Sequence, residues 1–179
     1  MTTITWLPIA ISVFAVIVSI VALYLSYSHN NKTLRLQILK DILDEFKSEQ
    51  MGSYGAELWK FYHDAGKNEK KLVENYLCEY ERKGHEPGSL HLKRRYVSHY
   101  YQQVALYYYG GFIQKNDLKK FWGESSVSII KKIIHPIEVY ALNSILEKKD
   151  EPKPEKIEMM FRLHDELNNN DKINFKTGK

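Results

Sequence analysis

Hydrophobic positions fall into two regimes along this chain. Trp6 to Tyr27 form an unbroken run of 22 uncharged residues, and Met1 to Tyr27 contain no Asp, Glu, Lys or Arg at all. As a helix rising about 1.5 Å per residue, that run reaches roughly 33 Å, against a bilayer hydrocarbon core of about 30 Å. Trp6 at one end and Tyr24 and Tyr27 at the other put amphipathic rings at both interfaces, and Pro8 is tolerated in the first turn. The pattern predicts a transmembrane anchor over residues 1–28. A cleaved secretory signal fits poorly, because no basic residue precedes the run and its exit, Leu25-Ser26-Tyr27-Ser28-His29, lacks an Ala-x-Ala site.

After Tyr27 the apolar positions recur every three or four residues, the helical period, and no strand alternation appears. The expected fold class is all-α: one N-terminal transmembrane helix, then a cytoplasmic bundle of about five to seven helices over residues 29–167. A first helix near Lys32–Ser48 carries Leu36, Leu39, Leu43 and Phe46 and can continue from the anchor. Gly52 and Gly55 are expected to break the helix over Met51–Gly55, at roughly 1 kcal/mol each in a helix interior. Further helices are predicted over Ala56–Ala65, Glu69–Arg82 and Leu90–Tyr109, with Gly66, Gly84 and Gly110-Gly111 as their stops. A short helix follows from Asn116, read as its N-cap, to Phe121. Ser125–Glu147 is rich in isoleucine, and Pro136 is expected to kink or split it. A last amphipathic helix covers Glu155–Leu167, and residues 168–179 are polar enough to predict disorder.

Charge sets the orientation. Lys32, Arg35 and Lys40 follow the apolar run and none precedes it, so the positive-inside rule predicts an outside N-terminus and a cytoplasmic helical domain. The single cysteine, Cys78, cannot form an internal disulfide, which suits a reducing compartment. Within the span, Ser12, Ala15, Ser19, Ala22 and Ser26 are spaced by three and four residues. Such a small-residue stripe lets two helix backbones approach closely in lipid, and is the candidate surface for transmembrane association.

Candidate chemistry is sparse. The chain has no P-loop, GxGxxG, GxSxG or HExxH motif, so no cofactor and no catalytic residue is predicted. His85, His91 and His99 are spaced by six and eight, which does not bring two imidazoles to one helical face, and no metal site is expected. His164-Asp165 reads as a solvated pair. Cys78 has acidic neighbours Glu79 and Glu81, which disfavour a thiolate, and reads as a packed small side chain. Lys93-Arg94-Arg95 is too short a basic run for nucleic acid. Arg94 shares a stripe with Val97, Tyr101, Val104 and Tyr108, so Arg94 or Arg95 is expected to pair with an acid such as Glu138 or Glu124, or to cap carbonyls of a neighbouring helix, with a ligand phosphate or an acidic partner as the alternative. Tyr107-Tyr108-Tyr109 cannot all face one core, which makes Tyr107 and Tyr109 candidates for a protein contact.

Arg94-Arg95-x-Val97, Tyr100-Tyr101-x-x-Val104-Ala105-x-x-Tyr108, Gly111-x-Ile113, Leu118-x-x-Phe121-Trp122-Gly123 and Pro136-Ile137-Glu138 together resemble a family of uncharacterised bacterial single-span membrane proteins, a domain of unknown function. The resemblance covers about a third of the chain. It implies a bacterial inner-membrane location and a helical cytoplasmic domain, and carries no activity with it. The sequence therefore supports a membrane-anchored interaction or regulatory module with a protein partner or a homo-oligomeric state. One alternative is a tethered ligand sensor or enzyme with a pocket at Arg95, Tyr101, Trp122 and Glu138. Another is a prophage or defence-associated membrane effector.

Overall fold

The computed structural model describes residues 6–84, 86–122, 124–141 and 155–168. Every regular element among them is helical. The chain divides into two compact units, Met1–Asp41 and Ile42–Lys179. Helix α1, Trp6–Phe46, has 41 residues. It contains a window of mean hydropathy 2.6 and is long and apolar enough to cross a membrane. Phe14, Val18, Val21 and Leu25 are all exposed, as are the small residues between them. Nothing between His29 and Lys32 breaks the helix, since neither glycine nor proline occurs there.

The second unit begins with the last residues of α1 and continues with α2 (Glu49–Asp64), α3 (Glu69–Lys83), α4 (Leu90–Tyr109), α5 (Lys115–Phe121) and α6 (Glu124–Ile129). Two π-helical turns follow, Ile130–Ile134 and Ile137–Ala141, and then α7, Glu155–Leu167. Local chemistry places these boundaries. Ser48 Oγ accepts the Met51 amide at 3.1 Å, Asn68 Oδ1 accepts Lys71 N at 3.0 Å, and Ser89 Oγ accepts Leu92 N at 3.4 Å, each an N-cap. Gly66 sits at φ +69 and Gly111 at φ +78, conformations that suit glycine.

Three expected features are corrected here. The break expected over Met51–Gly55 lies instead at Lys47-Ser48, and α2 runs through both glycines. The Ser48 cap and the burial of Met51 and Leu58 outweigh the two glycine costs. Helix α5 starts one residue before Asn116, with Gln114 as its N-cap, because the Asp117 carboxylate reaches back to accept Gln114 N at 3.1 Å. Pro136 does not split its segment. His135 donates its amide to Ile130 O, a five-residue reach, and the wider π turns on either side accommodate the donor that proline lacks. Leu142 to Glu147 and the tail from Asn169 onward, including most of the segment expected to be disordered, lie outside the described residues.

Helix α4 is the centre of the bundle. It buries Arg94, Val97, Ser98, Tyr100, Tyr101, Val104 and Ala105, and packs against α2, α3, α7 and the first π turn. The facing apolar side chains are Met51 and Leu58 of α2, Ile130, Ile133 and Ile134 of the π turn, and Met160, Phe161 and Leu163 of α7. Two further expectations fail against this packing. Cys78 is exposed, because α3 buries Leu72 and Tyr76 one turn apart and leaves position 78 on the opposite side. His164 is fully buried rather than solvated, because it lies one turn beyond Met160 and Phe161 on the face that α7 presses into the core.

Candidate functional site

Arg94 and Glu138 meet in the core as an ion pair, 4% and 8% exposed. Helix α4 supplies the arginine and the second π turn the carboxylate. Glu138 Oε1 accepts from Arg94 Nη1 and from Ser98 Oγ, the latter at 3.1 Å, and Gln102 Nε2 donates to Ser98 Oγ at 3.0 Å. Ser98 and Gln102 follow Arg94 at successive four-residue steps, so one face of α4 carries the whole polar row. Arg94 Nε is buried without a hydrogen-bond partner.

One phenol, Tyr76, feels both charges of this pair. The Tyr76 hydroxyl lies 2.8 Å from His91 Nδ1. Burial pushes the Tyr76 phenol up to about 12, with the nearby Arg94 charge opposing and Glu138 adding to the rise. Tyr101 donates to Ser126 O at 2.6 Å, and its burial likewise pushes the phenol up. Trp122 packs its ring against Tyr101 at 5.3 Å and against Tyr100 at 6.2 Å. Tyr101→Phe is expected to cost about 1–3 kcal/mol, since it leaves the Ser126 carbonyl short of a donor, and a chemical-unfolding midpoint reads the loss.

The four residues proposed to converge on a pocket do not do so. Tyr101, Trp122 and Glu138 are buried and paired or packed, whereas Arg95 is exposed. Two cavities have their linings among the described residues. One, of about 580 Å³, is bordered by charged side chains including Glu57, Lys60, Lys83 and Lys93, and Lys93 is paired with Glu57. The other, of about 530 Å³, is bordered by Glu69, Lys70, Val73, Glu74 and Tyr140. Neither is lined by any of the four. Among the described residues no group of three or more His, Cys, Asp or Glu side chains is placed to hold a metal.

The tyrosine triplet divides by role. Tyr108 and Tyr109 both donate to Glu166 on α7, at 2.7 and 2.9 Å. The bond to Glu166 and burial favour the neutral phenol and push Tyr108 up to about 12. Tyr107 is turned outward, 37% exposed, and its ring meets Phe112 edge-on at 6.3 Å, itself 42% exposed. Six large apolar or aromatic side chains are exposed among the described residues of the second unit: Leu92, Leu106, Tyr107, Tyr109, Phe112 and Tyr140. Four of them fall within residues 106–112, so the exposure is concentrated at one corner, where α4 turns into α5.

In the first unit, Ser12, Ala15, Ser19, Ala22 and Ser26 are all exposed. Ser12 and Ser19 donate to Pro8 O and Ala15 O within the same helix, at 2.9 and 2.8 Å. Their hydroxyls are thus satisfied locally. Comparison with protein-family models, with curated proteins and with solved structures finds no match.

Residues that sequence reasoning passed over are Ser98, Leu106, Phe112 and Glu166, and His91 was weighed only as a metal ligand. Ser98 carried a signal, its four-residue step from Arg94. Phe112 carried another, an aromatic directly after Gly110-Gly111. The Tyr76–His91 and Tyr108–Glu166 bonds join separate helices and left none.

Proposed function

We propose that this protein is a membrane-anchored interaction module: α1 spans the bilayer with its N-terminus outside, and the helical domain acts at the cytoplasmic face of a bacterial inner membrane. One observation carries the interaction half of the reading. Of the polar residues best suited to chemistry, Arg94, Glu138 and Ser98 are spent on one another in the core and Tyr101 on the Ser126 carbonyl, while aromatic surface is concentrated at Tyr107 and Phe112. A catalytic or ligand-sensing site needs convergent polar groups at a concave surface. A binding module needs exposed aromatics on a rigid frame, which α4 supplies. The anchor half rests on the length and apolarity of α1 and on the basic residues Lys32, Arg35 and Lys40 after the uncharged run.

The test uses the intact chain in spheroplasts. Cys78 is the only cysteine and is exposed, so a membrane-impermeant maleimide reports topology on the unaltered protein. The thiol is expected to label only after permeabilisation, and the protein to stay with the membrane at alkaline pH. A photoreactive residue in place of Tyr107 is expected to give a cross-linked adduct that the same residue at exposed Lys71 does not. Labelling of Cys78 in intact spheroplasts overturns the topology, and absence of any adduct at position 107 overturns the interaction role.

A further inference from the structure

We infer that the corner where α4 turns into α5 is a docking surface for the anionic headgroups of a lipid bilayer. The inference rests on reading the chain as membrane-anchored, and names the partner of its exposed surface. Three features carry it: what the corner presents, how it is held, and how large it is.

Leu106, Tyr107 and Phe112 form the apolar part. The Phe112 ring lies over Gly110, where a Cβ would come within 3.1 Å of it, and Gly111 at φ +78 turns the chain so that the ring stands beside Tyr107. This fixed pair of rings combines apolar area with a phenolic hydroxyl, the chemistry enriched at membrane interfaces. The charge on the two helices that meet there is mainly basic. Helix α4 contains no Asp or Glu, and α5 has only Asp117, whose carboxylate is engaged with Gln114 N. Arg95, Lys119 and Lys120 are exposed. Arg95 lies about three helical turns before Leu106, on the same face of α4. The neighbouring acid, Glu166 of α7, accepts from both Tyr108 and Tyr109. A basic rim around an aromatic wedge complements an anionic, interfacial surface.

Size decides between lipid and protein. A stable protein interface needs about 800 Å² from each partner and some 20–30 residues a side. The corner's exposed apolar side chains among the described residues are Leu106, Tyr107, Tyr109 and Phe112, fewer than such an interface uses. A small wedge with basic neighbours suffices for lipid when the bilayer is already tethered, because the anchor turns docking into an intramolecular step.

The test places the full chain in lipid nanodiscs with an environment-sensitive dye on Asn116→Cys, in a Cys78→Ser background. Discs of phosphatidylcholine alone are compared with equal parts phosphatidylcholine and phosphatidylglycerol, each with brominated acyl chains as quencher. The dye is expected to be blue-shifted and quenched in the anionic discs and to stay in water in the neutral ones. Lys119→Gln with Lys120→Gln is expected to lower the docking equilibrium constant by about thirtyfold. Phe112→Ser is expected to abolish quenching. The same dye on the native Cys78 is expected to remain in water throughout. Circular dichroism checks each variant, and the lysine pair tests the idea even if Phe112→Ser fails to fold. Equal quenching in both discs, a dye that stays in water in both, or equal quenching at Cys78 overturns the proposal. A protein cross-linked at position 107 with no lipid quenching makes a protein the occupant, overturning this inference while the interaction module stands.

Discussion

Arg94→Met is expected to destabilise the helical domain by about 3–5 kcal/mol, the range for removing one partner of a buried ion pair. The loss comes less from the missing attraction than from what remains. Glu138, 8% exposed, would keep, among the described residues, the Ser98 hydroxyl at 3.1 Å. Glu138→Leu on its own leaves the Arg94 guanidinium, already short of a partner at Nε, buried with no carboxylate, and the same range applies. The double variant, Arg94→Met with Glu138→Leu, is expected to recover most of the loss, because it removes both charges and fills the space with apolar volume. Chemical unfolding of the detergent-solubilised chain, followed by tryptophan fluorescence, gives all four corners of the cycle. If the single variants cost under about 1 kcal/mol, the pair is solvated in solution and the core is built differently.

That pair was also partly legible in the sequence. Arg94 lies on a stripe with Val97, Tyr101 and Val104, so a buried guanidinium in need of an acid was legible from periodicity alone, and Glu138 was among the acids named. Helices α4 and α7 were legible, because each shows apolar positions at the helical period between loop signals. What failed turned on competition between local terms. Gly52 and Gly55 weaken a helix, yet a serine cap three residues before Met51 moved the boundary upstream of both. Pro136 forbids a regular α-helical bond, but π turns let the helix run on through it without splitting, and periodicity carries no sign of them. His164-Asp165 looked like a surface pair because both residues are polar. Its burial depends on which face of α7 meets α4, a tertiary fact. The placement of the four candidate pocket residues was illegible for the same reason. Residues spaced along α4 and its partners were known to be near one another in sequence order, but whether Arg95 turned in with Arg94 or out to solvent depends on one residue's rotation, about 100° of helix.

The second large effect is expected at α7. Phe161→Ala should cost about 3–5 kcal/mol, the usual range for emptying an aromatic site in a core. Phe161 is fully buried between Met160 and Leu163, and its ring stands edge-on to His135 at 4.9 Å. Helix α7 has 13 residues, a length at which an isolated helix is marginal in water, so its stability must come from the face it buries. The polar clasp cannot substitute for that face. Glu166 accepts from Tyr108 and Tyr109, but hydrogen bonds with exposed surroundings add only about 1 kcal/mol each, and Glu166→Gln, which keeps an acceptor, is expected to lose no more than that. Phe161→Ala is therefore expected to free α7 before the rest of the domain unfolds. Limited proteolysis should cut within residues 155–168 while most of the helical signal survives. Release of α7 also removes Glu166 from the end of α4, so the corner carrying Tyr107 and Phe112 should lose its fixed geometry in the same variant. A Phe161→Ala protein that resists protease and unfolds at the native midpoint would show that α7 is not integral to the core, and that α4 holds the aromatic corner without it.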